Sequence, residues 1–228
     1  METNRIYDRY RPTTWDEVLG NADAVATLRE LCEAGQLGGQ TVLVTGPSGA
    51  GKTTLCRIAA QTLADSWFIH EYDRGEDFDA AALEDLRNSM NLMALGKGGR
   101  AWIINELHGM KGPIVRALLG VTERLPRHCA IFFTTTLVAQ RSFFDGVDDH
   151  PLMSRCFKVR LSNQGLCPLF AGRLREVALA EGYDVPLKVC EGVVKAVKNN
   201  LRDALTWIGS QECRPYRIDP PDAALAVA

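Results

Sequence analysis

Thr41-Val42-Leu43-Val44-Thr45-Gly46-Pro47-Ser48-Gly49-Ala50-Gly51-Lys52-Thr53-Thr54 reads as strand, glycine loop and helix. Thr41 to Thr45 is a β-branched, apolar run suited to a buried parallel strand. From Gly46 through Pro47, Ser48, Gly49, Ala50 and Gly51 to Lys52 the chain has GxxxxGK[ST] spacing, closed by Thr53. Glycines let such a loop curl until successive N–H groups converge on phosphate oxygens, and the positive end of the next helix adds to that point. In this arrangement Lys52 reaches the β- and γ-phosphates, and the Thr53 hydroxyl holds Mg²⁺. Thr54 continues the first turn beside the phosphates. Leu55, Ile58, Ala59, Thr62 and Leu63 then recur at helical spacing. The expectation is a nucleotide-binding site with Mg²⁺.

The 228 residues suffice for one large domain or two small ones. Hydrophobic residues make up 46% and charged residues 24%, ordinary values for a globular chain. The net charge of −2 supplies no global basic field for nucleic acid, so any DNA contact must come from a local patch or an assembled ring. The seven cysteines are scattered without a CxxC, which supports neither a zinc site nor a disulfide framework. They suit reduced thiols in a cytoplasmic protein. No apolar run approaches about 18 residues, which excludes a membrane-spanning helix. Met1 to Arg5 lack the apolar core of a signal peptide.

Arg11 before Pro12 predicts an extended chain over 7–12. A helix is predicted over 22–34, with Val25, Leu28 and Leu31 on one face. Further strands are predicted over 67–72, 101–104 and 129–134, and helices over 78–93 and 113–124. This alternation predicts an α/β fold with a parallel sheet. After Ser162 the strand signals end and two or three helices follow. The expected division is a core over 1–161, a helical lid over 162–214 and a flexible tail over 215–228.

Tyr10-Arg11-Pro12, Gly46 to Thr53, Asn105-Glu106, Ser154-Arg155-Cys156 and Leu201-Arg202-Asp203-Ala204-Leu205 occur in a telling order. In that order and spacing the chain resembles clamp-loader ATPase subunits over about residues 7–212. That family includes replication factor C small subunits and the bacterial tau/gamma subunit, within the AAA+ group of P-loop ATPases. The phosphate loop alone is generic. Ser-Arg-Cys after a strand, with Leu-Arg-Asp-Ala-Leu about 50 residues later, is far more specific.

The resemblance implies roles for particular residues. Glu106 matches the carboxylate that activates the attacking water. Asn105 stands where the family carries aspartate in the outer metal shell. Its neutral amide is expected to weaken hydrolysis more than binding, by about 10–100-fold, with Asn105→Asp recovering the rate. In the alternative, Thr53 and the nucleotide hold Mg²⁺ unaided. Thr136 aligns with the residue that senses the γ-phosphate, or is simply a polar strand end. Arg155 matches the arginine that reaches the neighbouring subunit's nucleotide, where a guanidinium fits phosphate oxygens bidentately. Arg202 matches the lid arginine that closes on the γ-phosphate. Each arginine has a plain alternative as a solvated surface residue. Tyr10, Arg11 and Pro12, with Val18 and Leu19, correspond to a slot beside adenine; Tyr10 could equally be plain packing.

Lys97, Arg100, Lys111 and Arg116, with Arg124 and Arg127, are candidates for DNA contact, although a scattered basic set is usually a solvated face. The implied partners are other AAA+ subunits in a ring, a sliding clamp or another replication protein, and primed DNA, with no membrane. The family's collar domain and bacterial zinc module are expected to be absent. Two other functions fit the same residues. One is a hydrolysis-impaired ATP-binding regulator or stator; the other is a remodeller of the helicase-loader type, since fold does not fix function.

Overall fold

The computed structural model describes residues 5–136 and 151–218. They divide into two compact units. Pro12–Ser162 forms a sheet unit, and the residues up to Arg11 group with those from Asn163 onward in a helical unit. The first residues therefore fall outside the core, which the sequence predicts to span 1–161.

The chain opens with one helical turn, α1 (Ile6–Arg9), in place of the predicted extended segment. The restriction before proline acts only on Arg11. Upstream of it, the N–H groups of Asp8 and Arg9 donate to the Arg5 carbonyl at 3.0 and 3.2 Å. The Arg11 guanidinium pairs with the Asp8 carboxylate at 2.5 Å.

In the sheet unit, α2 (Ala22–Glu33), β1 (Thr41–Thr45), α3 (Lys52–Leu63), β2 (Ile69–Tyr72), α4 (Ala80–Ser89), β3 (Arg100–Ile104), α5 (Gly112–Thr122), β4 (Cys129–Thr135), α6 (Pro151–Ser154) and β5 (Phe157–Arg160) follow in chain order. The five strands are all parallel, in the order β2-β3-β4-β1-β5. Successive side chains of a strand point to opposite faces. Leu43, Trp102, Ile104, Ile131 and Phe133 therefore pack on one face with Leu83 and Leu86 of α4 and Leu118 of α5. Val42, Val44, Ile103 and Phe132 pack on the other with Leu28 of α2 and Leu55 of α3. Strands apolar on both faces are what a helix-covered parallel sheet requires.

β5 has no counterpart among the predicted strands. Lys158 and Arg160 are exposed, so only Phe157 and Val159 carry an apolar signal, as befits an edge strand guarded by charge. The second strand is shorter than expected because Trp67 and Phe68 fall in a 3₁₀ turn, Ser66–Phe68. The helix expected over 78–93 narrows to α4. Asp79 caps it by accepting the Ala82 N–H at 3.0 Å, and Phe78 is buried just ahead of the cap.

The helical unit holds α7 (Cys167–Ala180), α8 (Leu187–Ala196) and α9 (Leu201–Trp207), closed by a 3₁₀ helix, Gln211–Tyr216. Phe170, Leu174, Val177, Cys190, Val194 and Leu205 form its interior. The tail expected from 215 does not begin there. Pro215 and Tyr216 belong to the 3₁₀ helix, Arg217 bridges Tyr183, and the Ile218 N–H donates to the Gly182 carbonyl at 2.8 Å. Residues 219–228 lie outside the described residues.

Candidate functional site

Parallel strands bring their C-terminal ends to one edge of the sheet, where open α/β sheets bind ligands. β4 lies between β1 and β3, so the loop after β1, the turn after β3 and the end of β4 are neighbours.

The glycine loop leaves β1 at Gly46. A Cβ there would stand 2.8 Å from the Leu161 carbonyl oxygen, so the loop can pass only as glycine. Gly51 takes a left-handed φ of 87° at the N-cap of α3, which turns the chain into the helix. Pro47 and Ser48 are exposed at the tip, while Ala50 and Thr54 are buried beneath it. The Lys52 ammonium donates to the carbonyls of Gly46 and Pro47, at 3.0 and 2.8 Å, and so lies across the loop.

Asn105 follows β3 directly and is 6% exposed. Its Oδ1 accepts from the Thr53 hydroxyl at 2.7 Å and the Thr134 hydroxyl at 3.0 Å. Its Nδ2 donates to Glu71 Oε1 at 3.3 Å and to the Tyr72 carbonyl at 3.1 Å. Because the Thr53 hydroxyl gives its proton to Asn105, its lone pairs stay available to a cation. Glu71 is itself held by the Arg57 guanidinium on α3, with Nη2 2.9 Å from Oε1.

Glu106 comes next, exposed and at φ 51°, an uncommon conformation for a residue with a side chain. Its N–H donates to Thr134 Oγ1 at 3.3 Å. A Cβ on Gly75 would come within 2.7 Å of the Glu106 carbonyl oxygen, so a second glycine supports this turn.

Thr134, rather than Thr136, is the threonine joined to Asn105 and Glu106. Thr136 sits one step past β4, half-buried, and its carbonyl accepts from Thr135 Oγ1 at 3.4 Å. Parity does not separate Thr134 from Thr136, which share a face of the strand; register does. Ile104 pairs with Phe133, which puts Asn105 opposite Thr134.

Among the described residues no group of three or more His, Cys, Asp or Glu could cage a metal ion. The Thr53 hydroxyl, its proton given to Asn105, suits Mg²⁺, which keeps several waters and leans on nucleotide phosphates. A bound Mg²⁺ would neutralise charge that builds on the β- and γ-phosphates.

Ser154-Arg155-Cys156 makes a tight turn at the end of α6. Ser154 Oγ donates to the Pro151 carbonyl at 2.9 Å and Cys156 Sγ to the Leu152 carbonyl at 3.1 Å. Burial pushes the Cys156 thiol up to about 12, so it stays protonated and acts as an anchor. Arg155 projects outward. Its Nη2 lies 2.7 Å from Glu123 Oε1 at the end of α5, and its Nη1 donates to the Pro151 carbonyl at 2.8 Å. Most of the long segment before α6, residues 137–150, lies outside the described residues.

Pro12, Val18 and Leu19 are half-buried in the sheet unit, on either side of a 3₁₀ turn, Trp15–Glu17. Tyr10 and Arg11 belong to the helical unit. The Tyr10 hydroxyl and the Arg9 guanidinium each donate to Glu181 at 2.7 Å. The hydrogen bond from Tyr10, aided by Arg9, holds the Glu181 carboxyl below its usual range and raises the Tyr10 phenol. Packing within its own unit thus engages Tyr10. In the same unit Asn200 caps α9, accepting from the Asp203 N–H at 3.4 Å. Arg202, the second residue of that helix, has its guanidinium 5.5 Å from the Tyr7 ring centroid.

Of the DNA candidates, Lys97 donates to the Gln61 carbonyl at 2.5 Å. Arg100 donates to the Leu92 carbonyl at 3.0 Å and lies over Phe68. Both are therefore engaged locally. Lys111 and Arg116, at the start of α5 and one turn into it, are exposed, as is Arg124.

No family model matches the chain. It is 24% identical over 202 residues to a replication factor C small subunit of Methanosphaera stadtmanae, covering 87% of this chain and 60% of that protein. It is 28% identical over 207 residues to replication factor C subunit 4 of Oryza sativa, covering 87% and 58%. The chain thus spans about 60% of the length of these relatives. Among solved structures, a point mutant of Thermotoga maritima RuvB superposes with a TM-score of 0.69 at 20% identity, over 88% of this chain and 64% of that one. The fold is the P-loop AAA+ α/β fold, and the chain resembles clamp-loader subunits.

Proposed function

We propose that the chain binds and hydrolyses ATP as a clamp-loader-like AAA+ subunit, acting with other AAA+ subunits to place a sliding clamp or similar partner on primed DNA, in the cytoplasm. The observation that carries this is the junction of Thr53, Asn105 and Thr134 beside Glu106, set against a glycine loop at the C-terminal edge of a parallel sheet. Lys52 would leave the loop carbonyls for the phosphates, and Thr53 would offer its lone pairs to Mg²⁺. Glu106 would orient and deprotonate the attacking water. Arg155 would serve a neighbouring subunit.

Four exposed apolar residues support a protein partner. Trp67 is 88% exposed, Leu92 59%, Met93 69% and Leu95 83%. They border one contact, where the Asp65 carboxylate accepts the Lys97 N–H at 2.9 Å. Clustered exposed apolar side chains mark interaction surfaces. Lys111, Arg116 and Arg124, exposed on or beside α5, are the basic residues we propose for DNA.

A second function, an ATP-binding regulator that hydrolyses poorly, is favoured by the amide at Asn105. One experiment tests both. Fluorescent ATP should bind the parent and lose at least about 10-fold in affinity in Lys52→Ala, since Lys52 is a direct phosphate contact. Turnover should then appear with primed DNA and a clamp. Equal binding by Lys52→Ala would remove the phosphate-loop assignment. Tight binding without turnover would favour the regulator.

A further inference from the structure

We infer that Glu71 is a positioning residue that obliges position 105 to carry an amide, so that Asn105 is a built part of this site rather than a weakened acid. Asn105 makes four hydrogen bonds of two opposite kinds. On one side stand two hydroxyl donors, Thr53 and Thr134. On the other stand two acceptors, the Glu71 carboxylate and the Tyr72 carbonyl. Only an amide with its oxygen toward the threonines and its nitrogen toward Glu71 satisfies all four. A carboxylate has no such asymmetry. At 105 it would set an oxygen about where Nδ2 now stands, 3.3 Å from a Glu71 oxygen and 3.1 Å from the Tyr72 oxygen. Neither contact would hold a proton, and a buried negative charge would face the half-buried Glu71 carboxylate.

Glu71 cannot readily swing away. It lies on β2, paired in register with Ile103 of β3, and the Arg57 guanidinium grips both its oxygens. The chain Arg57–Glu71–Asn105–Thr53 therefore runs from α3 through two strands back to the first turn of α3. It fixes where the Thr53 proton points and which way its lone pairs face. This runs against the expectation that Asn105→Asp would speed hydrolysis.

The structural claim stands on the hydrogen bonds alone; its bearing on Mg²⁺ rests on the nucleotide-site proposal. The test is a thermal-melting cycle on the full chain without nucleotide or metal, using Asn105→Asp, Glu71→Gln and the double variant. Asn105→Asp should lower the melting temperature by about 5–10 °C. Glu71→Gln should lower it in the parent and raise it in the Asn105→Asp background, because a glutamine amide can donate to the new carboxylate. That change of sign is the expected result. The proposal is overturned if Glu71→Gln has the same sign in both backgrounds, or if Asn105→Asp melts at or above the parent. Should Asn105→Asp fail to fold alone, recovery of a folded double variant supports the proposal and its failure overturns it. As a second readout, Glu71→Gln should lose about 10-fold in nucleotide affinity with Mg²⁺ and little without it. A parent that binds no nucleotide would sink the site's assignment, while the melting cycle would still decide the role of Glu71.

Discussion

A guanidinium that acts on another molecule has to be held at the surface without being consumed there. Arg155 meets this condition through Glu123. The pair is open to solvent, with Arg155 40% and Glu123 53% exposed, so it contributes about 0–1 kcal/mol. A phosphate offers the same bidentate geometry with more charge, so it can displace the carboxylate. Glu123 thus orients Arg155 and restrains it weakly. Glu123→Gln should leave the melting temperature within about 2 °C. It should lower the protein concentration for half-maximal ATPase by up to about 5-fold, the equivalent of that pair energy. An unchanged concentration profile in titrations of the two proteins would mean that the pair restrains nothing. At this scale the motif singles out Arg155 as a candidate, but the sequence cannot reveal Glu123, because nothing local joins the end of α5 to α6.

At the scale of elements, the loop after β1 depends on how closely β1 lies to the chain leaving β5. Gly46 passes the Leu161 carbonyl where no Cβ fits. Gly46→Ala should therefore displace the loop, costing about 1–3 kcal/mol in stability and most of the ATP affinity, measured by melting and nucleotide titration. Near-parental binding would show that the loop tolerates the shift. The phosphate pattern makes this glycine necessary in the sequence, and the structure adds a second reason through packing. The strands with strong patterns, β1, β3 and β4, are legible because burial on both faces leaves an unbroken apolar run. β5 is not, because an edge strand with Lys158 and Arg160 carries half that signal. The extended reading of α1 fails because a rule for one residue, Arg11, does not reach its neighbours. Glu71 and Thr134 stay hidden in the sequence because their roles depend on strand neighbours far along the chain. Only the register of β2 with β3 and of β3 with β4 brings them to Asn105.

At the scale of the whole molecule, the proposed function makes a single subunit's site depend on where the parallel sheet puts Arg155. Arg155 precedes β5, and Phe157 at the start of β5 pairs with Val42 near the start of β1. The glycine loop leaves the other end of β1, after Thr45. Arg155 and the loop thus lie toward opposite edges of one sheet, separated by roughly the length of a four-residue strand, about 13 Å at 3.3 Å per residue. Glu123 holds Arg155 at its own edge. On the proposed function, this placement favours service to a phosphate site on another subunit, through a head-to-tail contact. An arginine supplied in trans is worth roughly 10³–10⁵ in rate in related phosphoryl-transfer enzymes. Arg155→Ala and Glu106→Gln should therefore each be nearly inactive while still binding ATP. Mixed in equal amounts, they should recover roughly a quarter of the parental rate, since a productive contact joins an Arg155→Ala site to a Glu106→Gln neighbour and random mixing makes one contact in four of that kind. Recovery should grow with total protein concentration. If mixed particles form, as seen by co-purification of differently tagged chains, and activity stays at the level of either variant, Arg155 does not act between subunits.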